Sequence, residues 1–403
     1  MHKPFIHRLT IRNFKSIAAC QTGLGALTIM VGPNGSGKSN FLDALRFVSD
    51  SLKTSLDHAL RNRGTIKDVR RRSGGHPNHF SIRLDFTLPS GQVGHYSFRI
   101  GAKPAGAFEV QHEECRITGL EVLNGEHHYH VRSGKVLKAT FSPAPASLAD
   151  RLYLVAVSGL PAFRPVFDAL SSIEIYNLNP REIGAMQKPD PGEILRRDGS
   201  NAASVLQKLP LHSRDLVNSF LSRIVKGVSE SVSKTLGSQE TIEFRQAVKG
   251  QKHSWRFLAS SMSDGTLRAF GILLAVFQSA ASESSAPLLI GLEEPEMALH
   301  PAAAGVLLSA LREASARRQI LVTSHSPDLL DNADIPTESL LAVENYDGLT
   351  HIGPIDSAGR EVLRERLFTA GELLRQNQLA PDASAIFDVD DDRQLALFEL
   401  NGK

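Results

Sequence analysis

Hydrophobic spacing along the chain changes period repeatedly, and each change marks a different kind of element. Residues 5–11 alternate apolar and polar positions, and 26–31 form a short apolar run that stops at Gly32, so both read as strands. Apolar positions then recur at helical spacing from Lys38, with Phe41, Leu42, Leu45 and Val48 on one face. From Phe80 to Val131 the alternation returns, broken by turn residues such as Pro89-Ser90-Gly91-Gln92. It predicts antiparallel hairpins over 80–88, 96–100, 108–117 and 119–122. Residues 142–147, rich in Pro and Ser, read as a joint. Beyond them 148–232 is expected to be mostly helical, interrupted by a polar loop at 177–190. From Ser254 strands and helices alternate: strand 255–257, helix 266–279, strand 287–292, helix 302–316 and strand 319–323. Such alternation predicts a parallel sheet covered on both faces. No segment keeps apolar heptads over three or four repeats, which argues against a long coiled-coil arm.

Composition changes this picture little. The 403 residues can bury a large core in two lobes, and a net charge of +2 neither demands nor excludes a nucleic-acid partner. Charge is unevenly spread, however. Between Arg61 and Arg83 seven Lys or Arg stand against Asp68 alone, while 382–399 is acidic. Cys20 and Cys115 offer neither a disulfide framework nor a zinc-ligand set, which suits a reducing compartment. The first residues lack the apolar core of a signal peptide, and no apolar run approaches the ~20 residues that span a bilayer. The expected location is the cytoplasm, with no membrane partner.

Four motifs carry chemistry. Gly32-Pro33-Asn34-Gly35-Ser36-Gly37-Lys38-Ser39 fits G-x-x-x-x-G-K-[ST] between a predicted strand and a helix, followed by Asn40. Glycines let backbone N–H groups turn toward phosphate oxygens at the positive end of the helix, so ATP and Mg²⁺ are the implied cofactors. Lys38 would reach the β- and γ-phosphates and Ser39 the metal. The strand at 288–292 ends in Glu293-Glu294, an arrangement in which the first carboxylate serves the metal and the second takes a proton from water. Glu293 stands where an Asp is usual, so its longer side chain changes its reach to the metal. Ser263 and Gly265, in Ser261-Met262-Ser263-Asp264-Gly265, open a helix and could serve a phosphate. The apolar strand at 319–323 leads to Ser324-His325-Ser326-Pro327, which places His325 beside the phosphate loop in a doubly wound sheet.

In that order, these four motifs resemble the ABC-type ATPases of the SMC/RecF group. Glu293-Glu294-Pro295-Glu296 with Leu299-His300-Pro301, and the opening Ile11-Arg12-Asn13-Phe14-Lys15-Ser16, are most similar to OLD and RecF-like prokaryotic AAA ATPases. So are Leu195-Arg196-Arg197-Asp198-Gly199-Ser200-Asn201 and Thr369-Ala370-Gly371-Glu372-Leu373-Leu374. The likeness is strong at both ends and weak in the middle. It implies an α/β ABC-type head with an antiparallel β subdomain and a helical lobe inserted between phosphate loop and signature. The expected division is 1–141 and 251–380 for the two halves of the head, 142–250 for the helical lobe and 381–403 for an acidic tail.

The resemblance also implies roles. Glu294 is the general base, His325 senses the γ-phosphate, and Lys15 lies near the nucleotide. Ser263 and Gly265 complete the site of a second protomer, and 296–300 forms the D-loop. Gln92 and Gln111 are the candidates for a Q-loop glutamine. The expected function is an ATP-driven switch that closes as a homodimer, with higher oligomers left open. It would control DNA or a partner effector, such as a nuclease encoded nearby, in phage defence or DNA repair. An ATP-driven nuclease and a transporter ATPase subunit are the rival readings. The stretch after His325 is too short for a Toprim nuclease domain besides the end of the core. Arg70-Arg71-Arg72 could touch DNA phosphates. His127, His128 and His130, and Asp388 with Asp390–Asp392, are weaker metal candidates.

Overall fold

Strand β1 (Ile6–Phe14) turns through Lys15-Ser16 into β2 (Ile17–Gly23), with Asn13 and Lys15 in the left-handed region at φ 54° and 48°. The computed structural model describes residues 3–72, 77–119, 125–248, 250–251, 253–278, 286–332, 335–385 and 397–399. Strand β3 (Leu27–Val31) leads through the glycine loop into α1 (Lys38–Lys53), followed by short helices α2 (Leu56–Arg61) and α3 (Ile66–Val69). Then come β4 (His79–Thr87), β5 (Val93–Ala102), β6 (Phe108–Thr118), β7 (Glu126–Arg132) and β8 (Lys135–Ala139). They join the first hairpin in a seven-stranded antiparallel sheet of order β2-β1-β4-β5-β6-β7-β8.

One face of that sheet is apolar because the alternation seen in sequence holds: Ile11, Ile82 and Phe98 stand opposite one another, as do Leu84, Tyr96, Cys115 and Tyr129. This face closes on α1, where Phe47 makes edge contacts with Phe14 and Phe80 at ring separations of 6.0 and 5.3 Å. Aromatic edges of that kind add to the burial term.

The segment 142–250 is less helical than expected. It contains α4 (Tyr153–Val157) and α5 (Arg164–Ser171), then strand β9 (Glu174–Tyr176), which pairs in parallel at the edge of the nucleotide sheet. Helix α6 (Pro180–Gly184) sits inside the predicted loop, with Asn179 capping it, and α7 (Ala202–Lys208) and α8 (Leu211–Ile224) follow. The expected helix to 232 stops at Ile224. Gly227 (φ 92°) breaks it, and β10 (Val228–Leu236) pairs with β11 (Gln239–Gln246) across a turn at Gly237. Strand β12 (Trp255–Leu258) completes a separate three-stranded sheet. The expected strand at 119–122 is not seen at Gly119, since β6 ends at Thr118; 120–122 lie outside the described residues.

The C-terminal half follows the predicted order. Helix α9 (Asp264–Phe277), β13 (Leu289–Glu293), α10 (Pro301–Ser315), β14 (Gln319–Ser324) and α11 (Pro327–Leu330) alternate. The chain continues through β15 (Leu340–Tyr346), β16 (Leu349–Pro354), α12 (Ser357–Arg364) and α13 (Ala370–Arg375). The nucleotide sheet has the order β16-β15-β3-β14-β13-β9, with β16 alone antiparallel. Successive residues of β14 feed opposite cores: Leu321 faces α1, while Ile320 and Val322 face α9 and α10. That two-sided burial is why these strands read as unbroken apolar runs. Gln319 ties the two sheets, its amide bonding Ile6 N–H and O and the carbonyl of Gly25. No helix among the described residues is long and apolar enough to cross a membrane.

Candidate functional site

Strand β3 ends at Gly32, and the chain there admits no side chain: a Cβ would lie 1.9 Å from the carbonyl oxygen of Val343 on β15. Gly37, at φ 108°, turns the backbone directly into α1, where a Cβ would meet the Thr350 hydroxyl at 2.3 Å. No side chain caps α1, and the N–H groups of Lys38 and Ser39 stand at its open end, while that of Asn40 donates to the Gly37 carbonyl at 3.0 Å. Ser36 is buried with its Oγ unpartnered, whereas Pro33, Asn34, Gly35 and Ser39 are exposed. The Lys38 ammonium folds back on the Gly32 and Pro33 carbonyls at 2.8 and 2.9 Å. Burial depresses its pKa, against the opposing charges of Glu294 and Glu296. A free helix end, an orphaned hydroxyl and a buried lysine form a cradle that fits a polyphosphate.

The carboxylates stand two strands away. Strand β14 pairs with β3 and β13 with β14, so the ends of β13 and β14 lie side by side next to the loop. Glu294 sits at φ 43°, its N–H donating to the carbonyl (3.0 Å) and hydroxyl (3.3 Å) of Thr323. A non-glycine residue there is strained, and such strain gathers at functional sites. His325 Nδ1 lies 3.1 Å from Glu294 Oε1. Glu293 has its pKa raised by burial, with Arg46 working the other way and Asp43 and Glu294 adding to the rise. Glu296 is also raised by burial; it accepts the Ser324 hydroxyl at 2.5 Å, and its other oxygen is buried without a partner.

Arg268, Asp43, Arg63 and Thr350, to which the sequence assigned no role, help to hold this centre. Arg268 of α9 reaches the carbonyls of Glu293 and Glu294, both at 3.3 Å, and that of Leu178. Lys15 pairs with Asp43 at 2.7 Å, and Arg63 grips Asp43 and Asp50 from α2's end. Ser16 receives bonds from Asn40 and Thr350, both at 2.7 Å. The apolar run at 340–343 was the one available signal, pointing to the strand next to β3. Beside Lys15, a cavity of about 210 Å³ is lined by Ser16, Asp68, Arg70, Arg71, Arg72 and Gly348. Of the three arginines, Arg72 pairs with Asp68 and Arg70 bonds the carbonyl of Pro77.

Other expectations fare differently. Ser263 caps α9 by accepting the Thr266 N–H at 3.3 Å, and the helix starts at Asp264 rather than 266. Gly265 is pressed against the 296–300 turn, where a Cβ would lie 2.3 Å from Ala298 O. Neither residue makes a hydrogen bond to loop 32–39 among the described residues. Gln92 lies in the β4–β5 turn and Gln111 in β6 against Gly101, both in the antiparallel sheet rather than in the loop. His127 points to the opposite side of β7 from His128 and His130, and no metal-holding group of three such side chains occurs among the described residues. Asp388 and Asp390–Asp392 lie outside the described residues.

The phosphate cradle on the central strand, with paired acids and a histidine on the next two strand ends, defines a P-loop head of the ABC type. The family model for the RecF/RecN/SMC N-terminal domain matches residues 5–348. The chain belongs to that family. It is 32% identical over 124 residues to structural maintenance of chromosomes protein 1 of Schizosaccharomyces pombe, covering 28% of this chain and 10% of that protein. It is 33% identical over 110 residues to the DNA replication and repair protein RecF of Magnetococcus marinus, covering 25% of this chain and 26% of that protein. The matches thus span about a tenth and a quarter of those relatives. An Smc head bound to the C-winged helix domain of ScpA superposes with a TM-score of 0.54 at 15% identity, over 87% of this chain and 97% of that one. The Pyrococcus furiosus Smc head domain with an extended coiled coil, bound to the C-terminal domain of ScpA, gives 0.54 at 12%, over 90% and 99%. These likenesses concern the fold.

Proposed function

We propose that the chain is an ATP-operated switch, whose two copies close around nucleotide and reopen on hydrolysis. The observation that carries this reading is the strained Glu294 beside His325, at the strand ends flanking a phosphate cradle. Loop 32–39 would bind the triphosphate through its N–H groups and Lys38, with Asn40 and Lys15 alongside. Ser39 and Glu293 would hold Mg²⁺, which when bound neutralises phosphate charge. Glu294 takes a proton from the attacking water, and His325 reads the γ-phosphate. Glu293 reaches as a carboxylate despite the burial that disfavours its charge, because a cation there reverses that balance.

Gly265 lies against the 296–300 turn and Ser263 caps α9, neither bonding its own loop 32–39, which supports their use on a partner's nucleotide. A two-fold interface would then build two composite sites at once. Ser263→Arg and Lys38→Ala should each be poor ATPases alone. Mixed in equal amounts they should recover about a quarter of wild-type turnover, since half the dimers then carry one intact site. If steady-state assays of the mixture show no recovery, the site is completed within one chain. Among the outputs, DNA approached through the Arg61–Arg83 stretch or a partner effector fits best, in phage defence or DNA repair. The Glu293–Glu296 and Leu299–Pro301 motifs favour the OLD-like branch.

A further inference from the structure

An antiparallel sheet with one face on the core ordinarily leaves the other to water. Here the outer face of the seven-stranded sheet is polar, yet its centre is buried while Arg8 and Arg132 at its margins stay exposed. Strand register puts Arg8, Arg12, Arg83, Arg99, Arg116 and Arg132 on that face, against the acids Asp85, Glu109, Glu114 and Glu126, the last paired with Arg116 at 2.8 Å. Arg12, Arg83 and His95 are 7%, 6% and 4% exposed. Part of the cover is the segment 397–399. The Phe398 ring lies 5.2 Å from the His112 imidazole and 5.5 Å from the Arg99 guanidinium carbon. Glu399 accepts from Arg83 at 2.5 Å and Arg116 at 3.4 Å, with His95 Nδ1 3.8 Å away. Its backbone N–H donates to Glu114 at 2.9 Å.

One residue apart, then, the face offers three things: a slot for a flat ring, a carboxylate acceptor for an N–H, and a cationic seat for an anion. The imidazole in the slot is neutral, since burial first, then the charges of Arg99, Arg132 and His130, push the His112 pKa down to about 4. Burial works to raise the pKa of Glu399, but its bond from Arg83 and the charges of His95, Arg83 and Arg116 hold it below the ordinary value. Ring, base-edge N–H and anion at that spacing are the parts of a nucleotide. We propose that this face binds single-stranded nucleic acid, and that Phe398 and Glu399 occupy it as a built-in competitor. A duplex keeps its bases stacked inside, so only an unpaired strand can fill the ring slot while its phosphates meet the arginines. Charge agrees: 386–399 carries five acids against Arg393 alone, opposite in sign to the face. The inference stands apart from the ATP site and does not rest on its assignment.

The test is anisotropy of a fluorescent oligothymidylate of about 20 nucleotides against the full chain and its Phe398→Ala/Glu399→Ala variant. If the docked segment hides most of the face, the variant binds roughly 10-fold tighter, because apparent affinity scales with the open fraction. Its affinity also falls more steeply with salt, since more phosphate contacts form. Adding Arg99→Ala and His112→Ala removes most of that gain. Glu399→Gln, a milder change that keeps the side chain's shape, gives a smaller gain in the same direction. ATP turnover stays unchanged in the Phe398→Ala/Glu399→Ala and Glu399→Gln variants. Unchanged affinity and salt slope in both variants overturn the proposal. So does an equal gain for a duplex of the same length or for poly-glutamate, which would mark a general anion or peptide surface.

Discussion

Glu294→Gln should leave ATP bound and slow its hydrolysis by about 10²- to 10⁴-fold, the range by which a positioned general base accelerates proton transfer. Gln keeps the shape and the Thr323-anchored backbone but cannot take a proton. Because reopening is expected to follow hydrolysis, the variant should accumulate as a larger species when ATP is added, read by light scattering. Its neighbours are poorer bases for reasons of geometry. Glu296 is 8% exposed and one of its oxygens is committed to Ser324. Glu293 faces Arg46 and lies where the metal would be held. Near wild-type turnover in purified Glu294→Gln would therefore overturn the assignment and move the search to those two residues.

The parts of this site that were legible in sequence are those where one residue type is forced by local geometry. Only glycine fits at Gly32 and Gly37, so the phosphate loop stands out at once. The strands β3, β13 and β14 announce themselves because both faces are buried, which leaves short runs of mostly apolar residues without alternation. The middle was harder, since its elements are short and their partners distant. Strand β9 has three residues and exists because Leu292 and Ile290 offer an open sheet edge a hundred residues on. No periodicity can be read from three positions. The β10–β11 hairpin alternates apolar and polar residues weakly, and the helical pattern before it was carried too far across Gly227. Arg268 illustrates the same limit at the site. Its role lies in bonds to the carbonyls of Glu293 and Glu294, backbone atoms that leave no mark in the side-chain pattern.

A charge that sequence spacing placed on a strand, but not on its apolar face, sets the second large expectation. Register puts Glu113 opposite Phe98, inside the core between the antiparallel sheet and α1, and it is wholly buried. It accepts four hydrogen bonds: the hydroxyls of Tyr96 and Tyr129, and the N–H groups of Tyr153 and Leu154. Those two amides open α4, which has no side-chain cap of its own, so Glu113 performs that service from β6. Glu113→Ala should cost about 3 kcal/mol or more, because four buried donors lose their acceptor together. Burial drives its pKa up to about 7, although all four bonds pull the other way. A carboxyl raised in the folded state adds stability that is complete below the ordinary value of 4.5 and lost as pH rises through about 7. The window is worth on the order of 3 kcal/mol, at about 1.4 kcal/mol per pH unit. Glu113→Gln does not titrate, so its melting temperature supplies the reference. The wild-type advantage over it should shrink steadily between pH 5 and pH 7, then level off. A gap that stays flat across that range would mean that the four donors keep Glu113 ionised throughout, and that the carboxylate acts as a fixed anion capping α4.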